Sequence, residues 1–437
     1  MDAVLLARIQ FAITVGFHFL FPAITIGLAW LLVGIEYCAS FKKIPVYERI
    51  ARLFAKLLGL TFAIGVASGI VMEFQFGTNW ARYSIFVGDI FGAPLAAEAL
   101  FAFFLESTFM GLYLFGRNRV SKGTHWFSIL MVALGSTISA FWIIVANSWQ
   151  QTPAGYALEG GRAVLTSFGD AVFNPSTLQR FFHTIAACFT ASAFFMGGIA
   201  VIMLLKDRSS EVAQEALKIS VVAGFIASIA VLFPTGHLHA KQVALTQPEK
   251  FAAIEGLIEG TTHAPMTIFG IPSDKPEPSI SYKIEIPSLL SWFAYGSADA
   301  FVKGLKDFPP DERPPFSLTF ITFHLMVALG LLFIVVSALG VFLLWTKRLN
   351  TSFWYHRLFL IVSPLPLIAA ELGWITAEVG RQPWVVYKLL RTVDASSVTV
   401  TASEILLTML LIGIIESFLL VAYIYFTLKI ARSEVRK

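Results

Sequence analysis

The strongest constraint on this sequence is a series of long apolar segments separated by mostly short polar connections. An α-helix needs about 20 apolar residues to cross the hydrocarbon core of a bilayer, and backbone exposed to lipid must be helical or in a closed barrel. Nine segments reach that length, at about 6–36, 53–74, 92–116, 125–149, 179–205, 216–236, 316–346, 354–380 and 403–428. We therefore expect an all-α integral membrane protein with nine transmembrane helices.

The composition excludes an ordinary water-soluble domain. Hydrophobic residues make up 57% of the 437 residues and charged residues only 14%, whereas soluble domains carry about 25% charged residues. The net charge of +4 is dispersed along the chain, so no nucleic-acid partner is expected. Two cysteines, Cys38 and Cys188, are too few for a disulfide framework or a Cys-rich metal cluster, and without a C-x-x-C-H motif any haem would be bound non-covalently.

The distribution of basic residues predicts the orientation of the helices. Of the 32 Lys and Arg residues, 18 follow spans one, three, five and seven or lie in the C-terminal tail, against seven in the short connections of the other face. Cytoplasmic connections are enriched in Lys and Arg. We expect the N-terminus outside and the C-terminus in the cytoplasm, with a first span that is too long to be a cleaved signal peptide.

One long connection, residues 237–315, interrupts the series on the predicted outer side. It divides the chain into spans one to six (1–236), the loop itself (237–315) and spans seven to nine (316–437). Loops of this length in compact proteins are usually functional. Within it, residues 289–308 are expected to form an amphipathic helix at the membrane interface.

Ionisable side chains at membrane depth are few, and such residues are usually functional because burying them in lipid is unfavourable. They are His18, Glu98, Glu106, His183, His324, Glu371, Glu378 and Glu416. Glu98 and Glu106 are ~12 Å apart along one helix face, which suits either two stations of a proton path or two buried neutral acids. Glu371 and Glu378 also share a face. Arg381 could pair with Glu378 or with a carboxylate of a cofactor.

Three side chains are candidate haem ligands. His183 lies near the outer end of span five, and Met326 lies in the outer half of span seven. Imidazole and thioether form a low-spin haem pair, although Met more often fills a hydrophobic core. His18 precedes Pro22, which kinks the helix, and is either a ligand or relay or a histidine hydrogen-bonded across helices.

The remaining histidines lie at the membrane edges or outside the membrane. His237 and His239 are one residue apart, so a metal site is conceivable there, although no third ligand is evident. We expect His125, His356 and His263 to be solvated.

The order of these features resembles the large subunit of the cytochrome bd-type quinol oxidases, over the whole chain. The resemblance is carried by Arg8-Ile9-Gln10-Phe11-Ala12 before His18-Phe19, Glu98-Ala99-Leu100-Phe101 up to Glu106-Ser107, Phe182-His183, Gln247-Pro248 with Lys250-Phe251-Ala252-Ala253-Ile254-Glu255-Gly256, Met326-Val327-Ala328-Leu329-Gly330, and Gly373-Trp374 to Gly380-Arg381-Gln382-Pro383-Trp384. The short loop and the stretch 236–240 resemble the short-loop, cyanide-insensitive branch.

The resemblance implies roles for the haem-site residues. His183 and Met326 would be the axial ligands of a low-spin haem b. His18 would ligate one of two high-spin haems and Glu378 the other, these being haem b and either haem d or a further haem b. Trp374 would pack between haem edges, and Arg381 belongs to the same block of sequence.

The resemblance also implies a reaction. Lys250 and Glu255 would belong to a loop that oxidises ubiquinol or menaquinol at the outer face. Glu98 and Glu106 would carry cytoplasmic protons to the site where O₂ is reduced to water, so proton motive force would arise without a pump. The setting would be the bacterial cytoplasmic (inner) membrane, with a homologous second subunit and, in some members, small single-span subunits.

One position departs from the family pattern, and two other functions fit some of the residues. Many members carry Arg two residues before the methionine ligand, where this chain has His324. A proton-coupled secondary transporter would explain the intramembrane acids and the spans broken by Pro, but the chain shows no repeat symmetry and has an odd number of spans. A haem b electron carrier without oxygen chemistry would need only His183 and Met326.

Overall fold

The computed structural model describes residues 2–434, and within that range nine helical segments are long and apolar enough to cross a membrane. The nine predicted spans are therefore confirmed in number. The segments are α1 (Ala3–Ser40), α2 (Pro45–Thr78), α3 (Ala81–Phe115), α4 (Lys122–Gln151), α5 (Thr177–Lys206), α6 (Glu211–Thr246), α9 (Phe316–Trp345), α10 (Phe353–Val379) and α11 (Ala402–Glu434). Two shorter helices, α7 (Pro248–Glu255) and α8 (Leu289–Tyr295), lie in the long loop.

Two spans are longer than the sequence predicts. α3 begins at Ala81 rather than near residue 92, and α6 continues to Thr246 rather than ending near residue 236. His237 and His239 therefore lie within α6, and the long loop begins after Thr246. The polar side chains of the added turns lower the local hydropathy, which is why the sequence pattern ended α6 too early.

Two of the spans contain a π-helical turn, Glu98–Phe103 in α3 and Val231–Gly236 in α6. Such turns are rare and are frequent at functional sites. The π turn of α3 separates Glu98 from Glu106 and changes the helical register between them. Both carboxyls nevertheless line the same cavity, and both lie against α4, Glu98 at Ser139 and Glu106 at Gly135.

The helices pack around α1, which contacts α2, α4, α5, α10 and α11. Small side chains permit close approach: a Cβ on Gly197 of α5 would lie only 2.2 Å from Ser220 Oγ of α6. Such small-residue contacts are typical of helix packing in membranes. α5 is the most buried span and α11 the least, and no described residue of α11 lines the cavity described below.

The long loop is not purely irregular or helical. It contains the antiparallel hairpin β3 (Met266–Ser273) and β4 (Ser279–Ile286); shorter hairpins, β1–β2 (Tyr156–Glu159, Arg162–Leu165) and β5–β6 (Trp384–Val386, Leu390–Arg391), lie in other connections. α8 ends at Tyr295, followed by Gly296 at φ +77°. The predicted amphipathic helix over 289–308 is therefore wrong beyond its first two turns.

Candidate functional site

A cavity of about 2210 Å³ lies among the helices. A pocket for one drug-sized ligand has ~300–1,000 Å³, so this space can hold more than one large cofactor. It is lined by every site residue predicted from the sequence: His18, Glu98, Glu106, His183, Lys250, Glu255, Met326, Trp374, Glu378 and Arg381. Glu371 and Glu416 are buried or half-buried but do not appear among the side chains that form the cavity wall.

His18 of α1 points its imidazole at α2. Its Nδ1 lies 3.0 Å from Ser68 Oγ, and its Cε1 lies so close to Gly69 that a Cβ there would be 3.1 Å away. Because Gly69 has no side chain, the imidazole of His18 can pack directly against the backbone of α2 beside the cavity.

His183 and Met326 are held by glycine and hydroxyl neighbours. His183 Nδ1 lies 3.4 Å from Thr235 Oγ1 of α6, and its ring centroid is 5.4 Å from that of His239. A Cβ on Gly373 of α10 would lie 2.8 Å from Met326 Sδ. Only glycine at position 373 leaves the thioether where it is.

Glu378, at the end of α10, is the centre of a buried polar network. Arg381 forms an ion pair with it, which is one of the two alternatives predicted for Arg381. Asn147 Nδ2 donates to Glu378 Oε1 at 3.0 Å, with Gln151 Nε2 at 3.4 Å, and Arg180 donates to Asn147 Oδ1. The carboxylate is thus oriented by donors from α4 and by the turn that follows α10.

Two guanidinium groups at this end of the cavity have N–H groups that are free to bind a ligand. Among the described residues, Arg180 Nε and Arg381 Nη1 are buried without a hydrogen-bond partner. Buried polar groups are rarely left unpaired, and Arg prefers carboxylate or phosphate partners. Because both side chains line the cavity, these donors suit an anionic group of a ligand placed there.

Lys250 fastens the loop helix α7 to the bundle. Its Nζ donates to Gln151 Oε1 at 3.0 Å, Gln247 Oε1 at 3.3 Å and the Ala377 carbonyl at 2.8 Å, which uses all three donors of an ammonium group. Burial, together with nearby Arg180 and Arg381, lowers the pKa of Lys250 well below its ordinary value.

Glu255, at the other end of α7, has no hydrogen-bond or ion-pair partner among residues 2–434. It is 3% exposed, and burial raises the pKa of its carboxyl to about 8. No neighbouring charge offsets that effect, so the side chain holds its proton at neutral pH. It lines the cavity together with Lys250.

Glu98 and Glu106 both face α4. Ser139 Oγ donates to Glu98 Oε1 at 2.7 Å, while Glu106 is 7% exposed and packs against Gly135. The small residues of α4 therefore make room for both acids and supply the hydroxyl that orients one of them.

Several residues of the site were not singled out from the sequence, among them Ser68, Asn147, Gln151 and Thr235. Uncharged polar side chains that hydrogen-bond across helices are ordinary in membrane bundles, so nothing in the pattern distinguishes these four. Arg180 could have been found, because a basic residue three positions before a candidate ligand at membrane depth is unusual.

Three predictions about histidines need correction or qualification. His125 and His356 are buried, with exposures of 2% and 4%, so the expectation that they are solvated is wrong. His125 joins a cluster in which Arg117 pairs with the buried Glu36 at 2.7 Å. Glu36 is not among the ionisable residues that the sequence places at membrane depth. Among the described residues, no group of three His, Cys, Asp or Glu side chains forms a metal site at His239 or elsewhere.

Comparison with known proteins matches this geometry to one family. The family model described as cytochrome bd terminal oxidase subunit I matches residues 6–435. The cytochrome bd ubiquinol oxidase subunit 1 of Bacillus subtilis (strain 168) is 39% identical, over 96% of this chain and 91% of that protein. The cytochrome bd-II ubiquinol oxidase subunit 1 of Escherichia coli (strain K12) is 35% identical, over 99% of this chain and 96% of that protein.

A solved structure agrees with these relatives. The bd oxidase from Geobacillus thermodenitrificans superposes with a TM-score of 0.91 at 31% identity, covering 99% of both chains. The family implies haem cofactors, quinol and O₂ as substrates, and a second subunit. This chain therefore belongs to the cytochrome bd terminal oxidase subunit I family, whose members serve a terminal quinol oxidase of the bacterial inner membrane.

Proposed function

We propose that this subunit holds a low-spin haem b, a high-spin haem b and a third haem, d or b, in its cavity. In this proposal His183 and Met326 ligate the low-spin haem, His18 one high-spin haem and Glu378 the other. The observation that carries the proposal is the convergence of these four side chains on one cavity of about 2210 Å³. When bound, the haems would supply the one-electron chemistry and an open iron position for O₂.

The side chains around the cavity fit such cofactors. Imidazole with thioether suits a low-spin iron, and a carboxylate is a hard ligand that suits a high-spin one. Haem also carries two carboxylates, and the unpaired donors of Arg180 and Arg381 are the groups that would bind them.

The loop helix α7 is proposed as the quinol site, on the outer face with the N-terminus also outside. Lys250 holds α7 against α4 and α10, and Glu255 lines the same cavity. Oxidation of a quinol releases two electrons, which the proposed low-spin haem would accept one at a time, and two protons, one of which the Glu255 carboxylate is placed to accept. Ubiquinol and menaquinol share this chemistry, and both relatives named above are described as ubiquinol oxidases.

Protons for the reduction of O₂ are proposed to come from the cytoplasm by way of Glu106 and Glu98. The carrying observations are the burial of Glu106 and the hydroxyl of Ser139 bound to Glu98. Because quinol protons leave on one face and the consumed protons enter from the other, the reaction itself would separate charge. In this proposal a homologous second subunit completes the complex, and small single-span subunits join the complex in some members of the family.

A visible spectrum of the purified complex tests this proposal against its alternatives. An oxidase should show a low-spin haem together with a high-spin haem whose spectrum changes when CO is added. A haem b electron carrier would show the low-spin haem alone, and a proton-coupled transporter would be colourless. Either of the last two results would contradict the proposal.

The pKa of Glu255 gives a pH dependence for quinol oxidation. Since burial raises that pKa to about 8, the carboxylate that can accept a proton is scarce at pH 6 and predominates only above pH 8. We expect kcat/KM for quinol to rise with pH in steady-state assays, to reach half of its limiting value at about pH 8 and to level off above that pH. Glu255→Gln should be slower, with a flatter profile. A profile that keeps the same inflection in Glu255→Gln would assign the titration to another group.

A further inference from the structure

Two dipeptides of similar type lie against the two histidines that are proposed to bind iron. Ser68-Gly69 in α2 contacts His18, and Thr235-Gly236 in the π turn of α6 contacts His183. In each case the residue with the hydroxyl faces Nδ1, and the following glycine faces the Cε1 edge of the ring.

The Ser68 hydroxyl has a hydrogen-bond acceptor within its own helix. Ser68 Oγ donates to the Gly65 carbonyl at 3.0 Å, and the same oxygen lies 3.0 Å from His18 Nδ1. A hydroxyl has only one hydrogen to donate, so toward the imidazole Ser68 Oγ can only accept. With the hydroxyl hydrogen on the Gly65 carbonyl, Nδ1 of His18 carries the ring hydrogen, which leaves Nε2 with a free lone pair.

Thr235 repeats this arrangement at His183. Its Oγ1 donates to the Ala230 carbonyl at 2.8 Å and lies 3.4 Å from His183 Nδ1. Pro234 has no N–H to donate to the Ala230 carbonyl four positions earlier, and the π turn shifts the backbone bonds to residues five positions apart. Since a carbonyl oxygen has two lone pairs, that of Ala230 can also accept from the Thr235 hydroxyl. His183 Nδ1 is again the donor.

The glycines complete each contact. A Cβ at Gly69 would lie 3.1 Å from His18 Cε1, and one at Gly236 would lie 3.6 Å from His183 Cε1. The backbone therefore limits where each ring can move. Both rings line the cavity; among the described residues their hydrogen bonds to side chains are made through Nδ1, and the Gly65 and Val231 carbonyls are backbone acceptors beside the two rings.

We propose that Ser68 and Thr235 are positioning residues, which fix His18 and His183 in the tautomer that presents an unprotonated Nε2 to iron. This inference rests on the ligand roles given under the proposed function. A second partner on the far nitrogen of a ligating histidine fixes its orientation and makes it a stronger donor.

Matched variants of the full complex test this role. Thr235→Val keeps the shape of the side chain and removes the hydroxyl, whereas Thr235→Ser keeps the hydroxyl; Ser68→Ala and Ser68→Thr form the same pair at His18. Loss of such a partner typically costs ~10–100-fold in affinity. We expect Thr235→Val to retain the low-spin haem ~10–100-fold less tightly and to raise its midpoint potential, and Thr235→Ser to match the wild type in both.

The same experiment separates this inference from the ligand assignment. His183→Ala should remove the low-spin haem; if it does not, the ligand assignment is wrong. If His183→Ala loses that haem but Thr235→Val keeps both the haem and its potential, the positioning role is contradicted. At His18 the readouts are high-spin haem content and the CO difference spectrum, with the low-spin band as the internal measure of folding.

Discussion

Met326→Leu should abolish the low-spin haem spectrum while CO still binds to the high-spin haem. Leucine has nearly the same volume, and Leu–Met exchanges in a core usually cost less than ~1.5 kcal/mol, so the fold should survive. It lacks the sulfur that would bind iron. The measurement is the reduced-minus-oxidised spectrum of the purified complex, with the CO difference spectrum recorded on the same sample.

A matched control separates ligation from packing. Met196 of α5 is fully buried and is absent from the cavity wall, so Met196→Leu should leave every haem signal unchanged. Gly373→Ala is a complementary variant, because its Cβ would meet Met326 Sδ at 2.8 Å and displace it; the low-spin band should shift or weaken. A low-spin band that is identical in Met326→Leu and wild type would remove Met326 as a ligand.

Lys250→Met should lower quinol turnover about tenfold or more with the haem content intact. The ammonium of Lys250 holds α7 on α4 and α10 through three hydrogen bonds. Hydrogen bonds to a charged group contribute ~1.5–3 kcal/mol each. Loss of even one therefore lowers the equilibrium constant for docking α7 on the bundle by about tenfold or more. Methionine keeps much of the alkyl stem that packs against Gly380. Turnover is measured with a soluble quinol, and haem is measured spectroscopically.

Lys275→Met provides the control, since Lys275 is exposed in the same loop and should behave as wild type. Two results would count against the account of Lys250. Loss of haem in Lys250→Met would make the residue a structural support of the haem cavity. Unchanged turnover would remove α7 from the quinol site.

The spans could be predicted from the sequence because the thickness of the bilayer fixes their length and the absence of water fixes their conformation. Where polar residues belong to a span, that reasoning failed. The end of α6 at Thr246 and the start of α3 at Ala81 both lie in stretches that contain polar side chains, some of which, such as Tyr83 and Gln242, are buried against other parts of the protein. Hydropathy measures composition and does not detect a partner in another helix.

Residues that could bind iron or carry protons could be picked out at positions 18, 98, 106 and 183, because an ionisable group at membrane depth needs an explanation. The hydrogen-bond partners of those residues could not be predicted from the sequence. Ser68 and Thr235 matter through one hydrogen bond each, and their hydroxyls are typical of membrane helices in general. The burial of Glu36 could not be predicted, because this residue lies at the edge of a predicted span, where a solvated acid is the ordinary expectation, yet it is buried and pairs with Arg117 and His125.

The central claim is that His183 and Met326 ligate the iron of one haem within this subunit, and that His18 and Glu378 each ligate the iron of a further haem. The most direct measurement is an experimental density map of the assembled complex with its pigments bound. The account predicts tetrapyrrole density between His183 and Met326, with His183 Nε2 and Met326 Sδ as axial ligands of its iron. A map in which these two side chains contact only protein atoms, with the haems elsewhere, would contradict it.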